Sequence, residues 1–210
     1  MVVKEIYKQL RLYLRDRIIL VRKRQRLNNR NFTIISSDCT GGMVYKELGM
    51  EFKSPTINMF FNAKDFITFC KDISYWINCP MIEVEEDVPY PVAELGKGGI
   101  RIHLMHYKSV EEAQEKWNAR KKRINYNNIY FIMNDRNECS YKIMKEYDEL
   151  PLDNKVLFTH VPHEELKSSF YIKGYENECC VPVMTYFKNK ISIARNLDQF
   201  DFVGWLNKGK

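Results

Sequence analysis

The chain has 210 residues, of which 45% are hydrophobic and 29% are charged, and its net charge is +6. This composition fits one globular domain with a hydrophobic core and excludes a disordered chain. No stretch approaches the roughly 20 apolar residues that span a bilayer, and the start of the sequence shows no signal peptide. We therefore expect a cytoplasmic protein. The six cysteines form no C-x-x-C pair, which argues against a zinc site or a disulfide framework.

The positive charge is concentrated in the first 30 residues. Ten basic and two acidic residues give this segment +8, so the remaining chain carries −2 of the total of +6. Apolar residues recur at steps of three and four between Val3 and Val21, which predicts one amphipathic helix over residues 2–27. We divide the chain into a basic N-terminal helix, residues 1–30, and a single α/β domain, residues 31–210.

Three interpretations of the basic helix stay open. In the first, residues 2–27 pack on the body and expose a basic face to solvent. In the second, they lie on an anionic membrane surface. In the third, they bind nucleic acid. The first is favoured, because amphipathic helices of globular proteins turn their apolar face to the core. Nucleic acid is the least favoured partner, because no aromatic interleaving or recognised reader motif accompanies the charge.

After residue 31, apolar runs and turn signals predict alternating strands and helices. Strands are predicted at 32–36, 55–61, 128–133 and 155–159, with a hairpin at 91–95 and 100–105. Helices are predicted at 43–48, from Asn62 to about residue 79, from the Ser109 capping box to Arg123, up to Asp148, and at 198–207. This order predicts a three-layer α/β/α fold with a mostly parallel mixed sheet, to which the hairpin adds antiparallel edge strands.

The segment that follows the first predicted strand carries the strongest chemical signal. It places small polar groups and two glycines, Gly41 and Gly42, where a strand runs into a helix. Ligands of α/β proteins bind at the carboxyl ends of strands. The glycines either expose N–H groups that bind an anion or only permit a tight turn. The spacing matches neither the dinucleotide fingerprint nor the phosphate-binding loop with its lysine.

Polar residues at two further strand ends and after the hairpin should meet this segment at one sheet edge. A carboxylate, a guanidinium and imidazoles together suit a phosphate-bearing ligand such as a sugar nucleotide or glycan. The candidate catalytic residues are Asp135, Asp38 and His106, and the candidate ligand-binding residues are Ser36, Ser37, Cys39, Gly41, Gly42, Arg136 and His160. The alternative role of Asp135 is a cap on the following helix. No Asp-x-Asp pair is present for a metal-bound nucleotide, so we expect neither a metal nor a cofactor.

Several stretches together resemble one bacterial family, the domain of unknown function nineteen-nineteen, labelled exopolysaccharide-biosynthesis proteins. They are Ile35–Gly42, His106–Ala113, Lys116–Asn125, Asp135–Cys139, Lys155–Thr159, Asp198–Asp201 and Trp205–Leu206. The resemblance implies an α/β domain linked to capsule or exopolysaccharide gene clusters, without an established activity. The family pattern near residue 38 usually reads Asn-Cys followed by an aromatic residue, whereas this chain has Asp38 and Thr40 at those places.

These observations lead to two functional expectations. The first is a cytoplasmic protein of surface-polysaccharide synthesis, peripheral to the inner face of the membrane and acting as a metal-independent sugar transferase. In it, Asp135 or Asp38 activates the acceptor hydroxyl. The second is a non-catalytic accessory or scaffold protein that binds a glycan or another synthesis enzyme.

Overall fold

The computed structural model describes the backbone of residues 2–208 and the side chains of residues 5–208. The helices are α1 (Val2–Arg15), α2 (Val21–Arg26), α3 (Thr40–Leu48), α4 (Ala63–Lys71), α5 (Ile73–Trp76), α6 (Val110–Lys121), α7 (Tyr141–Glu149) and α8 (Phe202–Leu206). The strands are β1 (Thr33–Ser36), β2 (Met81–Val84), β3 (Val92–Leu95), β4 (Ile100–His103), β5 (Ile129–Asn134), β6 (Lys155–Thr159) and β7 (Ser169–Tyr171). Within this described part, no helix is long and apolar enough to cross a membrane.

A parallel sheet with the order β1-β5-β6-β7 forms the centre of the fold. Alternate residues of each strand face opposite sides. On one side Ile34 packs in a cluster with residues of α3 and α8. On the other side Ile35 packs in a cluster with residues of α4, α6 and α7. The predicted α/β class with a parallel sheet between helical layers is therefore confirmed.

The hairpin forms as predicted, but its predicted place at the edge of the main sheet is wrong. β3 and β4 pair with each other, and β2 pairs with β3, so the three strands make a separate antiparallel sheet. Their contact with the rest of the fold includes a single bridge between Phe60 and His103. The strand predicted at 55–61 does not form, apart from this bridge at Phe60. Asn58 adopts a left-handed φ of 65°, which interrupts the extended backbone.

Two predicted helices are divided in the structure. The helix expected from Asn62 to residue 79 breaks at Asp72, whose carboxylate then caps α5 by accepting a hydrogen bond from Tyr75 N at 2.9 Å. The closing helix expected at 198–207 becomes a 3₁₀ turn, Asn196–Gln199, followed by α8. The predicted Ser109 cap is confirmed, because its hydroxyl accepts a hydrogen bond from Glu112 N at 3.3 Å.

The N-terminal segment is helical to Arg26, with a π turn at Asp16–Leu20 between α1 and α2. Arg15, which is 1% exposed, fixes it to the body through ion pairs with Glu47 at 2.6 Å and Asp198 at 2.5 Å. The segment thus contacts the body through cationic side chains and the buried Leu20, whereas Ile6, Leu10, Tyr13 and Ile18 remain exposed. The side chains of Val2, Val3 and Lys4, like all of Met1, Gly209 and Lys210, lie outside the described residues.

Candidate functional site

A cleft of about 370 Å³ opens beside the carboxyl ends of β1 and β5. Four residues expected from the sequence line it, namely Asp38, Cys39, His106 and Arg136. Six others complete the wall: Phe60, Met105, Asn137, Val183, Thr185 and Tyr186. The parallel strands β1 and β5 bring Asp38 and Arg136 to one edge, because the carboxyl ends of parallel neighbours lie side by side.

Asp38 is held in place from both sides of its carboxylate. Oδ1 accepts a hydrogen bond from Thr40 N at 2.9 Å, and Oδ2 accepts one from the side-chain amide of Asn134 at 2.9 Å. Asn134 also accepts a hydrogen bond from Arg136 N through its Oδ1 atom, at 3.1 Å. The buried Asn134 therefore connects the acidic and basic groups of the cleft and fixes their spacing.

Arg136 provides the positive charge of the cleft. Its Nη1 atom donates to Val181 O at 2.7 Å and lies 3.8 Å from the sulfur of Cys180. Among the described residues its other guanidinium N–H groups have no acceptor, so they are available to an anionic ligand.

The backbone after Arg136 is strained. Asn137 and Glu138 adopt left-handed φ values of 54° and 64°. A left-handed conformation costs a non-glycine residue other than asparagine about 1–2 kcal/mol. Such strain clusters at functional sites, where the surrounding structure enforces it. It therefore supports a functional role for this side of the cleft.

His106 and two aromatic residues form the remaining wall. His106 follows β4 and is exposed at the rim, and Tyr186 is also exposed. Phe60 stacks on His103 with ring centroids 4.3 Å apart, which fixes its ring beside the cleft. His103 itself is buried, and burial lowers its pKa. The wall thus combines a titratable imidazole with flat apolar surfaces of the kind on which sugar and base rings pack.

Asp135 and His160 lie outside the cleft. Asp135 is buried, and its Oδ1 atom accepts a hydrogen bond from Val181 N at 2.7 Å. Its Oδ2 atom accepts from His160 N at 2.7 Å and lies 2.5 Å from His160 Nδ1. The helix-capping alternative for Asp135 is wrong, because Ser140 caps α7. These bonds connect β5, β6 and the segment around Val181, which is a structural role.

Cys39 lines the cleft as an inert thiol. Burial, together with the nearby Asp38 carboxylate, raises the pKa of the Cys39 thiol to about 12. Since the thiolate is the nucleophilic form, Cys39 does not supply a nucleophile at neutral pH. It can contact a ligand only through its sulfur surface.

The remaining candidates lie behind the cleft wall. Ser36 and Ser37 are buried, and Ser36 Oγ donates to Asp38 Oδ1 at 3.3 Å. A Cβ atom on Gly41 would lie 2.9 Å from Ser36 Cβ and 3.0 Å from Ile34 Cγ2. Gly41 therefore allows α3 to pack closely against β1, and the described contacts of Gly42, with Ile57, are also packing contacts.

Sequence reasoning missed the segment Val183–Tyr186. It follows β7, in a stretch without regular periodicity, so no pattern in the sequence indicates that it returns to the sheet edge. A larger hollow of about 810 Å³ lies along residues 83–92 and is lined by Glu83, Glu85, Glu86 and Asp87. It lies at the separate β2-β3-β4 sheet, and its acidic lining would repel a phosphate. Within residues 5–208, no group of three or more His, Cys, Asp or Glu side chains is arranged to hold a metal ion.

Comparison with known proteins shows the family of this chain and a relative of similar length. The family model described as "Domain of unknown function (DUF1919)" matches residues 11–207. A protein of Haemophilus influenzae, described as "Uncharacterized protein", is 36% identical over 194 residues. The alignment covers 92% of this chain and 93% of the relative. The family match therefore spans the parallel sheet and the range of the chain that contains the cleft residues.

Proposed function

This chain belongs to the DUF1919 family, and we propose that its cleft binds a nucleotide sugar in bacterial surface-polysaccharide synthesis. The observation that carries the proposal is the juxtaposition of Asp38, His106 and Arg136 in one cleft at the carboxyl edge of a parallel sheet. A volume of about 370 Å³ is within the range of small-molecule sites. The polysaccharide context comes from the resemblance described above, and the ligand class from the chemistry of the cleft.

Arg136 is the group that binds the diphosphate in this proposal. A guanidinium presents paired donors that match phosphate oxygens, and most donors of Arg136 have no protein acceptor within residues 5–208. Phe60 and Tyr186 provide apolar surface for a ring of the ligand. One cleft therefore offers charge recognition and ring packing together, as a nucleotide sugar requires.

The proposed reaction is a metal-independent sugar transfer. The acceptor hydroxyl attacks the anomeric carbon, the bond from that carbon to the phosphate oxygen breaks, and the nucleoside diphosphate leaves. Asp38 takes the hydroxyl proton as general base, and Arg136 stabilises the charge on the leaving diphosphate. We assign the base to Asp38 rather than to Asp135, because only Asp38 lines the cleft. His106, which also lines the cleft, is the second candidate for the proton transfer.

The alternative is a non-catalytic accessory protein that binds a glycan or a synthesis enzyme. One observation favours it, since both carboxylate oxygens of Asp38 already accept hydrogen bonds. These bonds occupy lone pairs that a general base would need for the hydroxyl proton of an acceptor. In either function the protein acts in the cytoplasm at the inner face of the membrane, with its N-terminal segment, residues 2–27, at the surface of the anionic lipid.

A ligand screen by thermal unfolding distinguishes the two functions. A ligand present at 100 times its dissociation constant stabilises the folded state by about 2.7 kcal/mol. This corresponds to a rise of about 5–10 °C in the melting temperature of a chain of this size. We expect such a rise with uridine or cytidine diphosphate sugars, and none with free sugars or inorganic phosphate at equal concentration. The accessory function predicts no rise with any nucleotide sugar.

A further inference from the structure

The helix α1 is oriented with its cationic side toward the body. Arg11 donates through Nη2 to Asn189 O at 2.8 Å, and its guanidinium carbon lies 3.9 Å from the ring centroid of Phe187. Arg15, one turn further along, is buried in ion pairs. These contacts use the charges that would otherwise face solvent. The opposite side of α1 consequently points away from the protein.

That opposite side is apolar and uncovered. Ile6, Leu10 and Tyr13 are 62%, 51% and 57% exposed, and their spacing of four and three residues places them in one stripe. Ile18, in the π turn, is also exposed. We call Ile6, Leu10, Tyr13 and Ile18 the outer face of α1. A helix in water normally buries such a stripe, so this arrangement indicates a partner.

A neighbouring loop extends this surface. The hydroxyl of Tyr7 donates to Lys190 O at 3.0 Å, which places the loop 186–192 beside α1. Ile191 at its tip is 81% exposed, and Lys188 and Lys190, which precede it, are exposed as well. The loop therefore packs against the Tyr7 and Arg11 side of α1, and its exposed apolar and cationic tip flanks the apolar stripe.

We propose that the outer face of α1 and the tip of the loop 186–192 dock on an anionic lipid bilayer. Amphipathic helices lie in the membrane interface with the apolar side inserted about 5–10 Å, and nearby cations add attraction to anionic headgroups. Arg17 is exposed and has no ion-pair partner among residues 5–208, so it is available to lipid phosphate. The inference rests on the proposed function only in placing the protein at a membrane, and it does not depend on the cleft.

A second copy of the chain fits this surface less well. A stable interface buries roughly 800 Å² on each partner, whereas the outer face offers four partly exposed side chains on a narrow helix. A two-fold pairing of α1 would also bring the cations that flank the stripe of one copy close to those of the other. Lipid phosphates neutralise these charges, which favours the membrane.

Vesicle sedimentation with the full chain tests the proposal. We expect wild-type protein to pellet with phosphatidylglycerol vesicles and to remain in solution with phosphatidylcholine vesicles. The double variant Ile6→Ser/Leu10→Ser should lower the partition coefficient at least about tenfold, because two apolar side chains no longer insert. Lys188→Glu/Lys190→Glu should lower it at least about fivefold, because the charge attraction is reversed. All of these residues are exposed, so the fold is retained.

Matched controls lie on distant surfaces. Tyr75→Ser removes an exposed aromatic side chain and Lys97→Glu reverses an exposed charge, and neither should change vesicle binding. The proposal is overturned if wild-type protein does not pellet with phosphatidylglycerol vesicles, or if it pellets equally with both lipids. A dimer in solution that Ile6→Ser/Leu10→Ser converts to a monomer also overturns it and assigns the face to a second copy. The nucleotide-sugar melting shift, measured on the same variants, reports the cleft separately.

Discussion

Replacing Arg15 by methionine is expected to lower the free energy of unfolding by about 3–5 kcal/mol, as for the loss of one partner of a buried ion pair. The guanidinium is buried, and it donates to Glu47 Oε1 at 3.0 and 2.6 Å. It also donates to both oxygens of Asp198, at 2.5 and 2.9 Å. Without Arg15 two buried carboxylates would depend on Lys23 and Arg195 alone. Urea denaturation followed by circular dichroism measures the loss.

The matched control is Arg17→Met, two residues further along. Arg17 is exposed and has no ion pair with any residue from 5 to 208, so its replacement should change stability by no more than about 0.5 kcal/mol. Equal, small effects of the two substitutions would show that the buried cluster contributes nothing to stability.

Acid titration provides a second measurement on the same cluster. Burial alone would raise the pKa of Asp198, but Arg15 and Lys23 lower it from 3.8 to about 2. A carboxyl whose pKa is lowered by folding stabilises the protein above its unfolded value, and this contribution is lost as the pH falls toward the folded value. Wild-type stability should therefore decline between about pH 4 and pH 2. In Arg15→Met the decline should be shallower.

Asp135→Asn is expected to lower the free energy of unfolding by about 1–3 kcal/mol, the cost of leaving buried donors unsatisfied. The carboxylate accepts from Val181 N and His160 N, and its Oδ2 atom lies 2.5 Å from His160 Nδ1. Asparagine offers one acceptor oxygen instead of two and places an NH₂ group against these N–H donors. Thermal unfolding at pH 7 measures the effect.

Asp153→Asn serves as its control, because Asp153 is exposed. It should leave the melting temperature unchanged. An Asp135→Asn variant that also melts at the wild-type temperature would contradict the structural role and return Asp135 to the list of catalytic candidates.

The sequence predicts the sheet well because its strands are buried on both faces. β1, β5 and β6 each have an apolar centre and are almost entirely buried. Polar residues follow each strand, and parallel pairing brings those polar residues to one edge. This reasoning correctly placed Asp38 and Arg136 near one another. It does not show that Arg136 lines the cleft whereas Asp135 does not. The directions of these two side chains are set by contacts with Val181, which lies 45 residues beyond Arg136.

Other features depend on long-range contacts that no local pattern encodes. Val183–Tyr186 completes the cleft through a path without periodicity, and the β3–β4 hairpin forms its own sheet with β2. For α1, the sequence correctly identifies an apolar and a basic side. It does not reveal that Glu47 and Asp198 bind Arg15 and so turn the basic side inward. The spacing of apolar residues predicts that a helix forms, whereas the orientation of the helix depends on the charges of the surface that it packs against.

The central claim, that the cleft binds a nucleotide sugar through Arg136, is tested most directly by titration calorimetry. The titrant is the uridine or cytidine diphosphate sugar that stabilises the wild-type protein most in the melting screen. Arg136→Ala should weaken binding by about 1.5–3 kcal/mol, which is about 10- to 150-fold in the dissociation constant. Arg30→Ala, an exposed arginine before β1 at the opposite end of the sheet, should bind like the wild type. Equal affinity of Arg136→Ala and wild type, with both folded, would contradict the account.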